Sequence, residues 1–138
     1  MGRDADVVQD LRDRLSRSPF HAGLGIDVVD ASEGHVRLAI ETTDAHENLQ
    51  GTIHGGVVAT LADTAMGLAV RTAIEPGRPH VTIDMSVHYL RPAARGRIEA
   101  TGTVVRAGAQ IAYAEADVAA PDGTLLARAS GTYSVAAR

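Results

Sequence analysis

Apolar residues recur at helical spacing near the start of the chain. Between residues 5 and 17 they form one stripe, while the charged residues fall on the other faces. The stripe consists of Val7, Val8, Leu11 and Leu15. This pattern predicts a short amphipathic helix that ends at Ser18-Pro19, because the residue before a proline avoids the helical conformation.

Residues 55–73 predict a second helix, in which apolar side chains cover nearly the whole circumference. A helix of this kind is buried at the centre of a domain, since a surface helix needs a polar face. Asp63 is the only charged residue between Gly55 and Val70. We therefore expect a buried central helix that carries a single carboxylate.

Elsewhere apolar residues alternate with polar ones, as they do in strands. Two strands are predicted between about residues 23 and 41, followed by a polar loop at 42–53. In the strand at 81–89, odd-numbered residues are expected to face one way and even-numbered residues the other. Three more strands are predicted near 96–106, 110–120 and 124–135. One antiparallel sheet wrapped around the central helix, an α+β fold, is the simplest packing of these elements.

Length, charge and composition exclude several classes of protein. The 138 residues suit one domain, divided into an N-terminal helix (1–19) and a core (20–138). The absence of cysteine excludes disulfides and thiolate chemistry, and a formal net charge of −4 argues against nucleic-acid binding. No signal peptide or membrane span is predicted, so the expected location is the cytoplasm. The 24 alanines are interpreted as a compositional bias.

Asp63 is the first candidate for chemistry. Burying an unpaired carboxylate costs several kcal/mol, so its place in an apolar helix needs an explanation. In one interpretation, Asp63 pairs with an arginine or caps a neighbouring element. In the other, it is kept dry as a nucleophile or general base. The residues alone leave both interpretations open.

His54-Gly55-Gly56 stands where the central helix begins. The first N–H groups of a helix have no partner within it and lie at the positive end of its dipole. Two glycines allow a ligand to approach the main chain closely, and such a terminus can stabilise the oxyanion of an attacked carbonyl. Alternatively, the two glycines only turn the chain before the helix.

The spacing of Gly55 and Asp63 bears on how they could act together. They are eight residues apart, which corresponds to about 12 Å along a helix. An aspartate side chain is too short to reach a carbonyl bound at the N–H of Gly55 on the same helix. If both act on one carbonyl, they come from two chains, which predicts a composite site at a two-fold interface.

These residues resemble those of the hotdog-fold acyl-CoA thioesterases, over about residues 20–135. The first signature is Asn48-x-x-Gly-x-x-His-Gly-Gly, with an acidic residue eight positions after the first glycine of the pair. The second is HVTIDMSVHYLRPA, residues 80–93. The group includes phenylacetate-pathway and 4-hydroxybenzoyl-CoA thioesterases. The resemblance implies a hotdog fold, in which an antiparallel sheet wraps a central helix.

The resemblance also implies roles for particular residues. Asp63 would be the nucleophile or general base, and Gly55 would donate its N–H to the thioester carbonyl oxygen. Asn48, from the same chain as Gly55, would place the thioester or water, with Gln50 as a weaker candidate. Thr82, from the same chain as Asp63, would assist the carboxylate. The expected substrate-binding residues are His54, Gly56, Thr64, Arg91, Pro92, Arg106 and Gly108.

The expected activity is hydrolysis of an acyl-CoA, with an aryl, phenylacetyl-like or medium-chain acyl group. Coenzyme A is part of the substrate, and no metal or other cofactor is expected. The expected assembly is a homodimer at least, with strand 81–89 at its interface, and a homotetramer on the family pattern.

Two other functions remain open. The chain could be a non-catalytic acyl-CoA-binding module of the same fold, or an enoyl-thioester hydratase or dehydratase that uses His54 and Asp63. The dehydratase histidine motif is absent, however, and so are the GxSxG and phosphate-loop motifs of other enzyme classes.

Overall fold

Six antiparallel strands form one sheet in the computed structural model, which describes residues 2–137. One face of the sheet packs on a long helix, α3 (Gly55–Ala73). Two shorter helices, α1 (Gly2–Ser16) and α2 (Pro19–Leu24), precede the sheet, and a 3-10 turn at Asp44–His46 precedes α3. The strands are β1 (Asp27–Ser32), β2 (His35–Glu41), β3 (His80–Tyr89), β4 (Arg97–Ala107), β5 (Ile111–Ala119) and β6 (Leu125–Val135).

The strand order β1-β2-β4-β5-β6-β3 leaves β1 and β3 at the two edges. β3 follows α3 in the chain and pairs with β6, the last strand. Within residues 2–137 no strand covers its other edge, and Val81 and Ile83 are 65% and 54% exposed there. The predicted α+β fold, an antiparallel sheet around a buried helix, is confirmed.

Small side chains line the face of the sheet that meets α3. On β4, β5 and β6 the buried positions carry mostly alanine or glycine, which lets the helix backbone approach the strands closely. At Gly102 an added Cβ would overlap the carbonyl oxygen of Ala65 and lie 2.7 Å from the backbone nitrogen of Met66. Much of the alanine therefore has a packing role, and compositional bias alone was an incomplete interpretation.

The helices differ from the prediction mainly at the N-terminal end. α3 has the predicted bounds, whereas α1 begins three residues earlier than expected. Ser18-Pro19 ends α1 but also starts α2, which the sequence analysis missed: Ser18 is the N-cap, and proline is favoured at the first helical position. The predicted division at residue 19 thus falls at the start of α2. No helix within residues 2–137 has the length and apolar character that crossing a bilayer requires.

The strict alternation predicted for β3 is wrong. The register with β6 shifts between Thr82 and Asp84, so that one more residue lies on β3 than on its partner. As a result Thr82 reaches α3, and so do Met85 and Val87, which pack against the core. Odd-numbered and even-numbered residues of β3 therefore both face the helix.

We expect Gly102→Ala to destabilise the protein by about 1–3 kcal/mol or more, because the added methyl group meets α3 backbone that cannot move aside. Gly23→Ala is the matched control. A Cβ there meets nothing within 4 Å, and alanine is favoured over glycine within a helix such as α2. Urea unfolding followed by circular dichroism measures both. Equal midpoints for the two variants would contradict the close packing of α3 on β4.

Candidate active site

Asp63 lies on the one stripe of α3 that the sheet does not bury. The buried residues of α3 face the sheet, whereas Thr60, Asp63, Gly67 and Arg71 are half-buried and follow one another at helical spacing. A carboxylate is tolerated at this position because its end reaches the surface of the chain. The sequence pattern did not reveal this stripe, since it carries small residues as well as polar ones.

Two hydroxyl groups hold the carboxylate of Asp63. The Thr82 hydroxyl on β3 donates to Oδ1 over 2.9 Å, and the Tyr133 hydroxyl on β6 donates to the same oxygen over 2.8 Å. Among the described residues no ion pair involves Asp63, and no backbone N–H donates to its side chain. Among the described residues, therefore, Asp63 neither pairs with an arginine nor caps a neighbouring element.

A cavity of about 310 Å³ opens beside Asp63. Its walls come from four parts of the fold: the end of α1 with α2, the exposed stripe of α3, the start of β3, and β6. Its lining residues are Arg14, Leu15, Ser18, His21, Asp63, Thr64, Gly67, Leu68, Arg71, His80, Val81, Thr82 and Tyr133. It combines apolar walls with polar and basic groups, as small-molecule sites commonly do.

The N-terminus of α3 presents one open N–H group. His54 is the N-cap, and its Nδ1 accepts the N–H of Gly56 over 2.8 Å. Of the hydrogen bonds within residues 2–137, none uses the N–H of Gly55. The Tyr89 hydroxyl donates to the Gly55 carbonyl over 2.7 Å, and its ring would lie 3.3 Å from a Cβ at Gly55. Gly55 is thus the donor available to a ligand, and Gly56 is not.

A second cavity, of about 350 Å³, opens at Gly55. Its lining residues are Asn48, Thr52, Ile53, Gly55, Val58, Tyr89, Leu90, Arg91, Pro92, Ala93 and Leu126. No residue is common to this cavity and the one beside Asp63. In a single chain, the carboxylate and the open N–H therefore face different spaces, although they lie on one helix.

The predicted site residues divide between these two cavities. Asp63, Thr82 and Thr64 line one of them, and Asn48, Gly55, Arg91 and Pro92 line the other. His54 and Gly56 form the cap between loop and helix. Arg106 and Gly108 line neither cavity: they lie at the turn between β4 and β5, where Gly108 donates its N–H to Ile111. A role for Arg106 and Gly108 stays a prediction.

Asn48 organises the loop before α3. Its Oδ1 accepts the backbone N–H groups of Gln50 and Thr52, and its Nδ2 donates to the Thr52 hydroxyl over 2.8 Å. One N–H of the amide remains for a ligand. Gln50 is exposed and outside both cavities, which agrees with its lower rank.

The sequence analysis missed Tyr133, Tyr89 and His80. Tyr133 carried a signal: the other buried residues from Ala127 to Val135 on β6 are alanine, glycine or valine, so one aromatic hydroxyl stands out among them. Burial raises the pKa of the Tyr133 hydroxyl above its usual range, and the neighbouring charge of Asp63 raises it further. Tyr133 is therefore protonated across the accessible pH range and acts as a donor.

His80 is half-buried in the wall of the Asp63 cavity. Its Nε2–H donates to the Gly67 carbonyl over 2.9 Å. Burial is the largest influence and lowers the pKa of His80 below 6.5, and the positive charges of Arg71 and Arg14 act in the same direction.

The described residues contain no group of three or more histidine, aspartate or glutamate side chains that could hold a metal ion.

Comparison with known proteins adds independent information. The family model of the thioesterase superfamily matches residues 50–127. The chain is 48% identical over 106 residues to a protein of Halobacterium salinarum named as an esterase, covering 73% of this chain and 70% of that one. It is 36% identical over 101 residues to human acyl-coenzyme A thioesterase 13, covering 72% and 71%.

A solved structure agrees over nearly the whole fold. Zebrafish thioesterase superfamily member 2 superposes with a TM-score of 0.83 at 32% identity, covering 94% of this chain and 95% of that one. The sheet wrapped around α3 is thus the hotdog fold that the resemblance implied.

The lowered pKa of His80 predicts a pH dependence of stability. As the pH falls below about 6.5, the unfolded chain binds a proton at residue 80 before the folded chain does, so folding is progressively disfavoured. Well above that pH neither the folded nor the unfolded chain holds the proton, and His80 then contributes nothing to the slope. We expect His80→Gln to reduce the acid-side loss of the unfolding free energy, measured by urea titration between pH 5 and 8. His88→Gln removes an exposed histidine of the same strand and is the control. Equal slopes in the two variants would contradict the prediction.

Proposed function

Because the chain belongs to the thioesterase superfamily, we propose that it hydrolyses acyl-CoA thioesters to a free carboxylic acid and coenzyme A. The similarity to human acyl-coenzyme A thioesterase 13 supports a CoA thioester as the substrate class. The observation that carries the proposal is the hydrogen bonding of the Asp63 carboxylate. Two hydroxyls hold it through Oδ1, and no hydrogen bond of the described residues reaches Oδ2.

Asp63 acts on the thioester carbonyl through Oδ2 in either of two modes. As general base, it takes a proton from water while the water oxygen attacks the carbonyl carbon. The tetrahedral intermediate then expels the CoA sulfur, which takes the proton back from Asp63. As nucleophile, the carboxylate forms a mixed anhydride and releases CoA, and water then hydrolyses the anhydride. Neither mode needs a metal or an organic cofactor, because a thioester carbonyl has weak resonance stabilisation.

Gly55 stabilises the charge that develops on the carbonyl oxygen. Its N–H is the open donor at the positive end of α3, and Tyr89 holds the same residue through its carbonyl. Asn48 lines the same cavity and uses its remaining amide N–H to place the thioester or water. Thr82 acts on the other side, through its hydrogen bond to Asp63.

The two halves of the site come together when a second copy pairs through β3. Thr82, near the start of β3, contacts Asp63, and Tyr89, at its end, contacts Gly55. When two edge strands pair antiparallel about a two-fold axis, the start of one lies beside the end of the other. The Gly55 cavity of one copy thereby meets the Asp63 cavity of the other. Such pairing would also bury the exposed Val81 and Ile83.

In this arrangement the acyl group enters the cavity beside Asp63. Leu15, Leu68 and Val81 give it apolar walls that suit an aryl, phenylacetyl-like or medium-chain acyl group. Arg91, with Pro92, borders the Gly55 cavity and can bind a CoA phosphate, a role also proposed for Arg106.

We further propose that two such dimers form a homotetramer and that the protein is cytoplasmic. His54 and Gly56 contribute by fixing the N-terminus of α3, and Thr64 contributes by lining the cavity beside Asp63.

We expect Asp63→Asn to lower kcat by about 10²–10⁴-fold, since the amide can neither accept the proton nor attack the carbonyl. Thiol release from aryl-, phenylacetyl- and straight-chain acyl-CoAs measures the effect and ranks the acyl classes at the same time. Asp30→Asn, at an exposed position of β1 on the opposite edge of the sheet, is the matched control and should keep nearly full activity.

Two outcomes would contradict this prediction. Activity that survives in a folded Asp63→Asn variant would remove Asp63 from the mechanism. Tight binding of acyl-CoA without thiol release from any substrate would identify a binding module instead of an enzyme.

The composite site predicts complementation between two inactive variants. Gly55→Pro removes the proposed N–H donor at the first position of α3, where proline is favoured, and the extended backbone of His54 accepts a following proline. Co-expression of the Gly55→Pro and Asp63→Asn variants should restore about a quarter of wild-type activity. Half of the dimers are then hybrids, and each hybrid has one intact site out of two.

Gly55→Ala is the control for this experiment, because it adds a similar Cβ beside Tyr89 but keeps the N–H. It should retain most of the activity. Hybrid dimers that form but remain inactive would show that each site lies within one chain.

A further inference from the structure

Tyr133 reaches Asp63 from the interior of the fold. The residue is 1% exposed, and its hydroxyl lies 2.8 Å from Asp63 Oδ1 and 3.2 Å from the Asp63 backbone oxygen. A hydroxyl has one hydrogen, and a charged acceptor binds it more strongly than a carbonyl does. Tyr133 therefore donates to Oδ1 while its ring is confined by the core. This contact fixes the Oδ1 atom of the Asp63 carboxylate.

Thr82 donates to the same oxygen from the neighbouring strand. Thr82 and Tyr133 are direct partners in the antiparallel register of β3 and β6, just before the register shifts. Their hydroxyls lie 2.9 and 2.8 Å from Oδ1. The two donors together occupy Oδ1, and the described residues place no donor on Oδ2. The two oxygens of one carboxylate are thus made chemically different.

A glycine on β6 leaves room for the Tyr133 ring. Gly131 precedes Tyr133 by two residues and faces the same side of the sheet. An added Cβ there would lie 3.0 Å from Tyr133 Cε1 and 3.2 Å from its hydroxyl oxygen, both closer than an ordinary contact. A Cβ at Gly67 on α3 would lie 3.6 Å from the other edge of the ring. The ring therefore occupies space that a larger residue at 131 would take.

We propose that Tyr133, seated against Gly131, is a positioning residue that holds Asp63 Oδ1 and thereby directs Oδ2 at the thioester. The proposal rests on the role of Asp63 in the proposed function. Tyr133 borders the cavity beside Asp63, but its hydroxyl is bound to Asp63 Oδ1, so it acts on the reaction through the carboxylate. Together with Thr82 it also opposes rotation of the Asp63 carboxylate, since intermediate orientations would lose both donors.

The primary test is Tyr133→Phe, which removes the hydroxyl and keeps the ring. We expect kcat to fall about 10- to 100-fold, in line with the loss of a hydrogen bond to a charged group, while KM changes less than about twofold. Tyr113→Phe is the matched control, because Tyr113 lies on β5 and is 37% exposed on the outer side. It should leave kcat and KM unchanged.

Gly131→Ala provides a second variant that keeps every hydroxyl. The added methyl group should displace the Tyr133 ring and lower kcat, again with little change in KM. In the Tyr133→Phe background it should lower kcat no further, since no hydroxyl remains to be displaced. A purely structural role would give the same loss from Gly131→Ala in both backgrounds, and thermal denaturation checks that each variant is folded.

The outcomes separate this inference from the proposed function. If Asp63→Asn abolishes thiol release but Tyr133→Phe and Gly131→Ala behave as wild type, the positioning role is wrong and the catalytic role of Asp63 stands. Equal loss from Gly131→Ala in both backgrounds, or a loss in Tyr133→Phe that appears mainly in KM, also overturns the inference. If Asp63→Asn remains active, the proposed function fails first.

Discussion

The close packing of α3 on a sheet face of small residues is the constraint on which the rest of this structure depends. Gly102 leaves no space for a side chain beneath Ala65 and Met66, so the helix cannot rotate without overlap and cannot move away without opening a cavity. The stripe of α3 that remains uncovered is therefore fixed. Asp63 lies on that stripe and reaches the junction of β3 and β6, where two hydroxyls are available to it.

The same packing keeps the two ends of the site apart. Because a helix is rigid, Gly55 and Asp63 keep an axial separation of about 12 Å. β3 runs beside this helix, with Thr82 at one end and Tyr89 at the other, and its second edge is open within the described chain. β3 therefore contacts both parts of the proposed site, and its open edge is also the surface through which two copies could bring these parts together.

Long regular patterns were predicted well, and local exceptions were not. α3 and the strands of the sheet follow from sustained periodicity, and the family match over residues 50–127 confirms the resemblance to the thioesterases. α2 was missed because Pro19 was interpreted only as the end of a helix, although proline also begins one. The register shift in β3 arises from its pairing with β6, where the partners of Thr82 and Asp84 lie about 50 residues further along the chain, and no pattern within β3 alone reveals it.

By itself the sequence determined the central helix, its single carboxylate, the glycines at its start and the family to which the chain belongs. These are local properties, since each depends on residues that are near neighbours in the chain. Only the tertiary structure decided that Tyr133, 70 residues beyond Asp63, would donate to it, and that Gly55 and Asp63 would open into separate cavities. Both facts depend on how the strands are registered and how the helix is rotated on them. The hydrogen bond, for example, forms only because separate elements bring donor and acceptor within about 3 Å.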